Sequence, residues 1–329
     1  MTRASILIPT HNKPTTLPLT VDSVLRQSVS DLEVLLIGDG VTDEVRAVIE
    51  GLVARDERVR FLDFAKGPHH GERYRHDAVL AAESEAIFYL CDDDLLLPDH
   101  VSDLLGLLEK HTFVQSLNGF CRPDGSLGFY AADLSDPATI ALHLDPVLRH
   151  NSVSITGTAH RRSFYEAVGR HWDTTPDGEW PDHHQWRKLM AHPDFSGATS
   201  ARMTALQFPT SQDGRDQWSA QERLNELSTW HQLVIGPDAQ ARIDSLVEAS
   251  VMRELAQSRL ELGRLSGDFS TWRAKVADRD ARLREAHDEL AQVRTDLWRT
   301  RRQLARLERR LALKNQKLAE LRGRLRPRS

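Results

Sequence analysis

The run Ala86-Ile87-Phe88-Tyr89-Leu90-Cys91 leads directly into Asp92-Asp93-Asp94. A short, unbroken apolar run with two aromatic residues has the length and composition of a strand covered on both faces of a sheet. In open α/β sheets, ligands gather just beyond the carboxyl ends of such strands. Two carboxylates about 5 Å apart repel by roughly 3 kcal/mol at an effective dielectric of 20, so three in a row call for a compensating cation. The nearest basic residues upstream, Arg73 and Arg75, lie well away in sequence. A metal is then the simplest partner, and hard oxygen ligands select Mg²⁺ or Mn²⁺. The plainer reading makes the aspartates caps of a helix starting near Pro98, but a cap uses one side chain and not three.

Upstream of this run, strand and helix signals alternate. Ser5–Pro9, Leu32–Ile37 and Val59–Leu62 read as strands, and Thr15–Gln27, Asp43–Arg55 and Arg75–Glu83 carry helical periods. A further helix is expected over Pro98–Lys110. Such alternation predicts an α/β fold with a mixed, mostly parallel sheet and helices on both faces. Downstream the pattern loosens. Arg122-Pro123-Asp124-Gly125 is a turn sequence and predicts a hairpin between Phe113–Phe120 and Ser126–Tyr130. Strands are expected at Val153–His160 and Ala201–Phe208, with helices at Arg162–Val168 and at Pro181–Met190, where Pro181 suits a first turn.

Beyond Asp216 every segment reads as helical, interrupted at Gly236-Pro237. Leu255, Leu262, Phe269, Val276, Leu283, Leu290, Leu297, Leu304, Leu311, Leu318 and Leu325 recur every seven residues, and Leu265, Trp272, Ala286, Val293, Leu307 and Leu321 follow three later. This is a coiled-coil seam, with Gly267-Asp268 as a candidate break. From Phe269 to Leu325 it would extend about 85 Å. Left single, it would forgo roughly 1.5–3 kcal/mol for each leucine kept in water, so homo-oligomerisation through 255–325 is expected, parallel or antiparallel. Arg279, Thr300 and Lys314 weaken the seam locally. The alternative is a long helix folded back on the globular part. The expected domains are 1–215, a helical linking region 216–265 and a coiled-coil helix 266–329.

The chain has 329 residues, 40% hydrophobic and 28% charged, with no apolar run near the roughly 20 residues that span a bilayer. The hydrophobic stretch after Met1 is too short for a signal peptide. Cys91 and Cys121 suggest neither a disulfide framework nor a zinc cluster, and a reducing cytoplasm is the expected setting. From Arg299 onward twelve Lys/Arg face two Glu, a balance of +10, which leaves −15 for the rest of a chain of net charge −5. So acidic a body excludes a nucleic-acid binder. The basic end is expected either to lie on anionic lipid through 299–329, a peripheral contact at the inner face of a membrane, or to be a solvated helix end.

No GxGxxG follows a strand, no GxxxxGK[ST] occurs, and His69-His70 and His183-His184 lack HExxH spacing. Several ordered motifs do resemble a known set. Pro9-Thr10-His11-Asn12 resembles a P-T-Y-N segment. Ile37-Gly38-Asp39-Gly40-Val41-Thr42-Asp43 resembles D-D-G-S-x-D, with Gly38 for the first Asp and Val41 for the Ser. Gly71 to Asp77 stands where A-R-N is usual, with Arg75 retained. Asp92-Asp93-Asp94 matches D-x-D. Ser163–Gly169 resembles R-x-x-x-x-x-V-G, and Pro181–Arg187 resembles E-D-x-x-L-x-x-R. Together these are similar to the inverting family-2 glycosyltransferases of the GT-A fold, over about 210 residues that exclude the coiled coil.

The resemblance implies a nucleotide-diphosphate sugar donor held by Pro9, Thr10, His11, Asn12, Asp39 and Arg75, and a Mn²⁺ or Mg²⁺ ion on Asp94 with Asp92. Asp93 or Asp92 could instead hydrogen-bond the ribose or donor sugar. It also implies a hydroxyl acceptor, a glycan or lipid-linked glycan, in bacterial-type cell-surface glycan assembly. Inversion needs one general base, and Asp182 takes that place, with Glu179 in reserve. Against the catalytic reading, Asp182 could simply satisfy a helix dipole, Arg75 could be a solvated residue at a helix start, and Asn12 and Asp39 ordinary turn residues. A different class remains open: a coiled-coil scaffold with an inactive glycosyltransferase-like head, which the departures at Gly38, Val41 and His76 suggest. A nucleotidyltransferase is disfavoured, since no glycine-rich basic loop follows the first strand.

Overall fold

A computed structural model describes residues 2–324 except 131 and 170. The chain divides into two units, Met1–Glu254 and Leu255–Ser329.

The first unit opens with three β-α repeats: β1 (Ala4–Thr10), α1 (Leu17–Leu25), β2 (Leu32–Asp39), α2 (Asp43–Arg55), β3 (Val59–Phe64) and α3 (Tyr74–Ala81). Local chemistry fixes the helix starts. Thr42 caps α2 by accepting from the Val45 N–H at 3.3 Å, and Asp43 and Glu44 favour its positive end. Next come β4 (Ala86–Tyr89), the two-residue β5 (Leu95–Leu96), α4 (His100–Leu108), β6 (Phe113–Gln115), β7 (Gly119–Cys121) and β8 (Leu127–Phe129). Then follow α5 (Pro137–Leu144), β9 (Thr158–Arg161), α6 (Arg162–Val168), α7 (Pro181–Met190), β10 (Gly197–Thr199), β11 (Ala205–Leu206) and α8 (Ala220–Val234).

Seven strands form one sheet in the order β10-β6-β9-β4-β1-β2-β3. Only β9 runs antiparallel to its neighbours. Period-2 alternation sorts the central strands into two cores. Ile6, Ile8, Val34, Leu36 and Phe88 face one side; Leu7, Leu35, Ile37, Ile87 and Tyr89 face the other, against Trp172 and Trp186. A third cluster joins Leu95, Leu97, Phe208, Leu227, Trp230 and Ile243.

The mixed, mostly parallel α/β sheet is as expected, and so are the β7–β8 hairpin, α2, α6 and α7. Several expectations are corrected. Phe113–Phe120 is two strands, because β6 joins the main sheet and only Gly119–Cys121 enters the hairpin. Helix α5 and strand β10 carried no periodic signal; α5 buries only His143 and depends on the Asp136 cap and Pro137. Residues 216–254, expected as part of a linking region, belong to the compact unit, since α8 supplies Trp230 and Val234 and the start of the next helix supplies Ile243 to its core.

Helix α9 (Ala239–Arg324) starts after Gly236-Pro237 and continues through Gly267-Asp268 without a break. Within the second unit its apolar series is exposed: Leu262 at 65%, Phe269 at 57% and Leu290 at 58%. The seam positions Leu307, Leu311, Leu318, Leu321 and Leu325 lie outside the described side chains. Among the described residues no helix is long and apolar enough to cross a membrane.

Candidate active site

The carboxyl ends of β1, β2 and β4 open on a cavity of about 460 Å³. The end of β1 brings Pro9 and Thr10 to it and the loop that follows brings His11 and Asn12, β2 brings Asp39, α3 brings Arg75, and the turn after β4 brings Asp92 and Asp93. Asp182, in the first turn of α7, lines it from the far side. A second cavity of about 780 Å³ lies beyond, bounded by Trp180, Asn151 and the Phe208–Gln212 loop. The two share Lys13, Cys91, Asp93 and Asp182.

Asp39 is held rigidly. Its Oδ1 accepts the Gly67 N–H at 2.7 Å, its Oδ2 pairs with Lys66, and its carbonyl bonds His11 Nδ1 at 2.7 Å. Gly71 has φ +59, and a Cβ there would run into the Asp39 carboxylate, so glycine serves both the left-handed backbone and the close approach. The departure at Gly38 also has a packing reason, because a Cβ at that position would come within 2.7 Å of the Phe61 ring.

Arg75 is 7% exposed, and its Nε and Nη1 have no hydrogen-bond partner. Its guanidinium sits 4.9 Å from the Trp172 ring centre, and burial lowers its pKa, yet arginine stays charged in proteins. A buried cation with orphan donors beside an open cavity is suited to an anion.

The three aspartates do not act alike. Lys13 Nζ donates to Asp93 Oδ2 at 2.6 Å and lies 3.3 Å from Asp92 Oδ1. Arg223 Nη2, from α8, reaches the same Asp93 oxygen at 3.0 Å. Burial raises the Asp92 carboxyl, with Lys13 opposing and Asp93 adding to the rise. For Lys13 burial pulls downward, but Asp92 and Asp93 outweigh it and the net shift is upward. Asp94 accepts the Thr156 hydroxyl on Oδ2 at 2.5 Å and the Phe208 N–H on Oδ1 at 2.9 Å. Burial, then the charge of Asp93, lifts it to about 7.

The compensating charge expected to require a metal is therefore supplied in part by Lys13 and Arg223. Asp94, expected as a metal ligand, lines the second cavity and not the first, and each of its oxygens accepts one hydrogen bond from the fold. Among the described residues no three His, Cys, Asp or Glu side chains converge as a metal cluster.

Asp182 Oδ1 accepts the His183 N–H at 2.8 Å and faces Asn151 Nδ2 at 3.5 Å. Burial raises its pKa, with these bonds and Arg75 opposing. Glu179, the reserve base, lines neither cavity, and its Oε2 bonds His184 Nδ1 at 2.8 Å. Sequence reasoning missed Lys13, Arg223 and Thr156. Only Lys13 left a local signal, next to Pro9-Thr10-His11-Asn12.

Residues 5–151 match the model of Glycosyl transferase family 2. Over 108 residues it is 27% identical to a GalNAc(5)-diNAcBac-PP-undecaprenol beta-1,3-glucosyltransferase of Campylobacter jejuni, covering 32% of this chain and 34% of the relative. Over 127 residues it is 37% identical to a chondroitin synthase of Pasteurella multocida, covering 37% and 13%. The matched stretch thus spans about a third or less of these relatives. Among solved structures, TarS 1-349 of S. aureus superposes with a TM-score of 0.50 at 13% identity over 78% of this chain and 73% of that one, and its complex with UDP does so over 77% and 72%. The shared fold is GT-A.

Proposed function

We propose that this family-2 domain transfers a sugar from a nucleotide-diphosphate donor in the first cavity to an acceptor hydroxyl in the second, with inversion. The observation that carries this reading is the position of Asp182, a carboxylate lining both cavities. A base placed there can take the proton of an acceptor hydroxyl as that oxygen attacks the anomeric carbon in line. Its raised pKa brings it nearer to neutrality, where a general base works best. On the donor side the orphan N–H groups of Arg75 would hold phosphate oxygens, and Asp39 with Asn12 would hold ribose or base. The UDP complex of TarS favours such a donor.

The chemistry of the donor set fits a hard divalent cation, Mn²⁺ or Mg²⁺. Asp92 and Asp93 are oxygen donors on one cavity, and one or two carboxylates completed by substrate phosphates are a usual Mg²⁺ set. Asp92 and Asp93 would hold the ion, and Asp94 would fix the turn behind them. When bound, the ion would neutralise charge growing on the leaving diphosphate.

The acceptor is read as a glycan or lipid-linked glycan for cell-surface assembly, which the undecaprenol-linked substrate in the first relative's name favours. The apolar seam of α9 would pair with copies of itself, and the basic stretch 299–329 would bring the enzyme to the inner face of a membrane. A screen of nucleotide sugars for metal-stimulated hydrolysis and transfer tests the reaction. One donor should turn over in the wild type and fail with Asp182→Asn; no turnover with any donor would leave the scaffold reading in its place.

A further inference from the structure

Arg223 lies outside residues 5–151, the stretch matched by the family, yet it reaches the centre of the site. Its Nη2 donates to Asp93 Oδ2 at 3.0 Å and to the Phe208 carbonyl at 2.7 Å. The Phe208 N–H in turn donates to Asp94 Oδ1 at 2.9 Å. One guanidinium thus ties α8 both to a carboxylate of the first cavity and to the backbone that orients the next aspartate. The Arg223 side chain is only 12% exposed, against 36% for Lys13, the other cation on Asp93. Its neighbour on α8, Glu226, is 3.6 Å from Nη1 and already pairs with Arg215.

We infer that Arg223 is a built-in counter-cation and positioning residue of the aspartate cluster, and that it sets how tightly the Asp92–Asp93 pair takes a divalent cation. This rests on the reading of that pair as the donor-side cation site. A positive charge about 3 Å from Asp93 lowers the negative potential that any incoming cation meets. Removing that charge while keeping a hydrogen-bonding amide should therefore tighten divalent binding. Asp93 keeps Lys13 in such a variant, so no buried carboxylate is left without a partner. A purely structural role predicts the opposite, since a loosened Asp93 would bind cations less well.

The test is Mn²⁺ affinity of the full chain without donor, read from the free-Mn²⁺ electron paramagnetic resonance signal. Arg223→Gln should bind Mn²⁺ about tenfold more tightly than wild type, and Arg223→Lys within about threefold of it. Lys13→Gln, which leaves α8 untouched, should shift affinity in the same direction and carries the test if Arg223→Gln does not fold. Unchanged or weaker Mn²⁺ binding in the folded Gln variants, or no Mn²⁺ binding by any of these proteins, overturns the inference. Titration of UDP into the same proteins reports separately on the donor site. Loss of UDP binding in wild type would count against the proposed reaction while leaving a tightened Mn²⁺ affinity in place.

Discussion

The two cavities that meet at Asp182 are built from different parts of the chain. The first is framed by the ends of parallel strands and by residues within 5–151, apart from Ile155 and the start of α7. Its walls are set by sheet register: Thr10 pairs with Gly38 and Asp39 with Phe64, so a shift of one strand would dislodge several contacts at once. The second is framed mostly by loops, Leu148–Ser154 and Gln207–Gln212, with the half-exposed Trp180 at its edge. A rigid, generic donor half beside a loop-built half is an arrangement in which specificity can change while the chemistry is kept.

That contrast can be broken most sharply at the shared residue. Asp182→Asn should lower kcat by about 10²–10⁴-fold and leave nucleotide-diphosphate affinity nearly unchanged, as separate kinetics and calorimetry would show. An equal loss in both would mean that Asp182 belongs to the donor cavity alone. Arg75→Met removes a buried cation whose donors face that cavity, and kcat/KM for the donor should fall by about 10–10²-fold. The same variant removes a charge that holds the Asp182 pKa down. Activity requires the ionised carboxylate, so it rises with pH on the acid limb, and in Arg75→Met that limb should move to higher pH. An unmoved limb would separate the two groups electrostatically.

On the loop-built side, Trp180→Ala should raise the acceptor KM by about tenfold through lost ring contact, with the donor KM unchanged. The smallest effect is expected from removing the second unit. A chain ending at Glu254 should keep donor hydrolysis within about twofold, because the compact unit includes α8 and its core. It should sediment as a monomer where the full chain is larger, since burying the leucine series is what favours pairing. Equal masses would refute the seam.

The same contrast explains what the sequence revealed. Strands β1, β2 and β4 were legible because they are buried on both faces and read as apolar runs, and Asp39, Asp92 and Asp93 were legible because they end or closely follow such runs, whereas Arg75 was found only through the family resemblance. Short pieces were not: β10 has three residues and β11 two, too few for a period. Residues brought in from far along the chain were hidden as well. Lys13 meets Asp93 across 80 residues and Arg223 across 130, and no local pattern encodes such a pair. The role of Asp94 followed from these omissions. Without Thr156 and Phe208 in view, three adjacent aspartates look equivalent, and only the fold places Asp92 and Asp93 on the first cavity and Asp94 on the second, hydrogen-bonded to Thr156 and Phe208.

The most direct test is a crystal structure of the full chain with an intact, slowly hydrolysed nucleotide sugar and Mn²⁺. Expected is the diphosphate beside Asp92 and Asp93, within hydrogen-bond reach of Arg75, and the anomeric carbon turned toward Asp182 at the junction of the cavities. A nucleotide bound elsewhere, or a sugar turned away from Asp182, would contradict the division of the site into donor and acceptor halves.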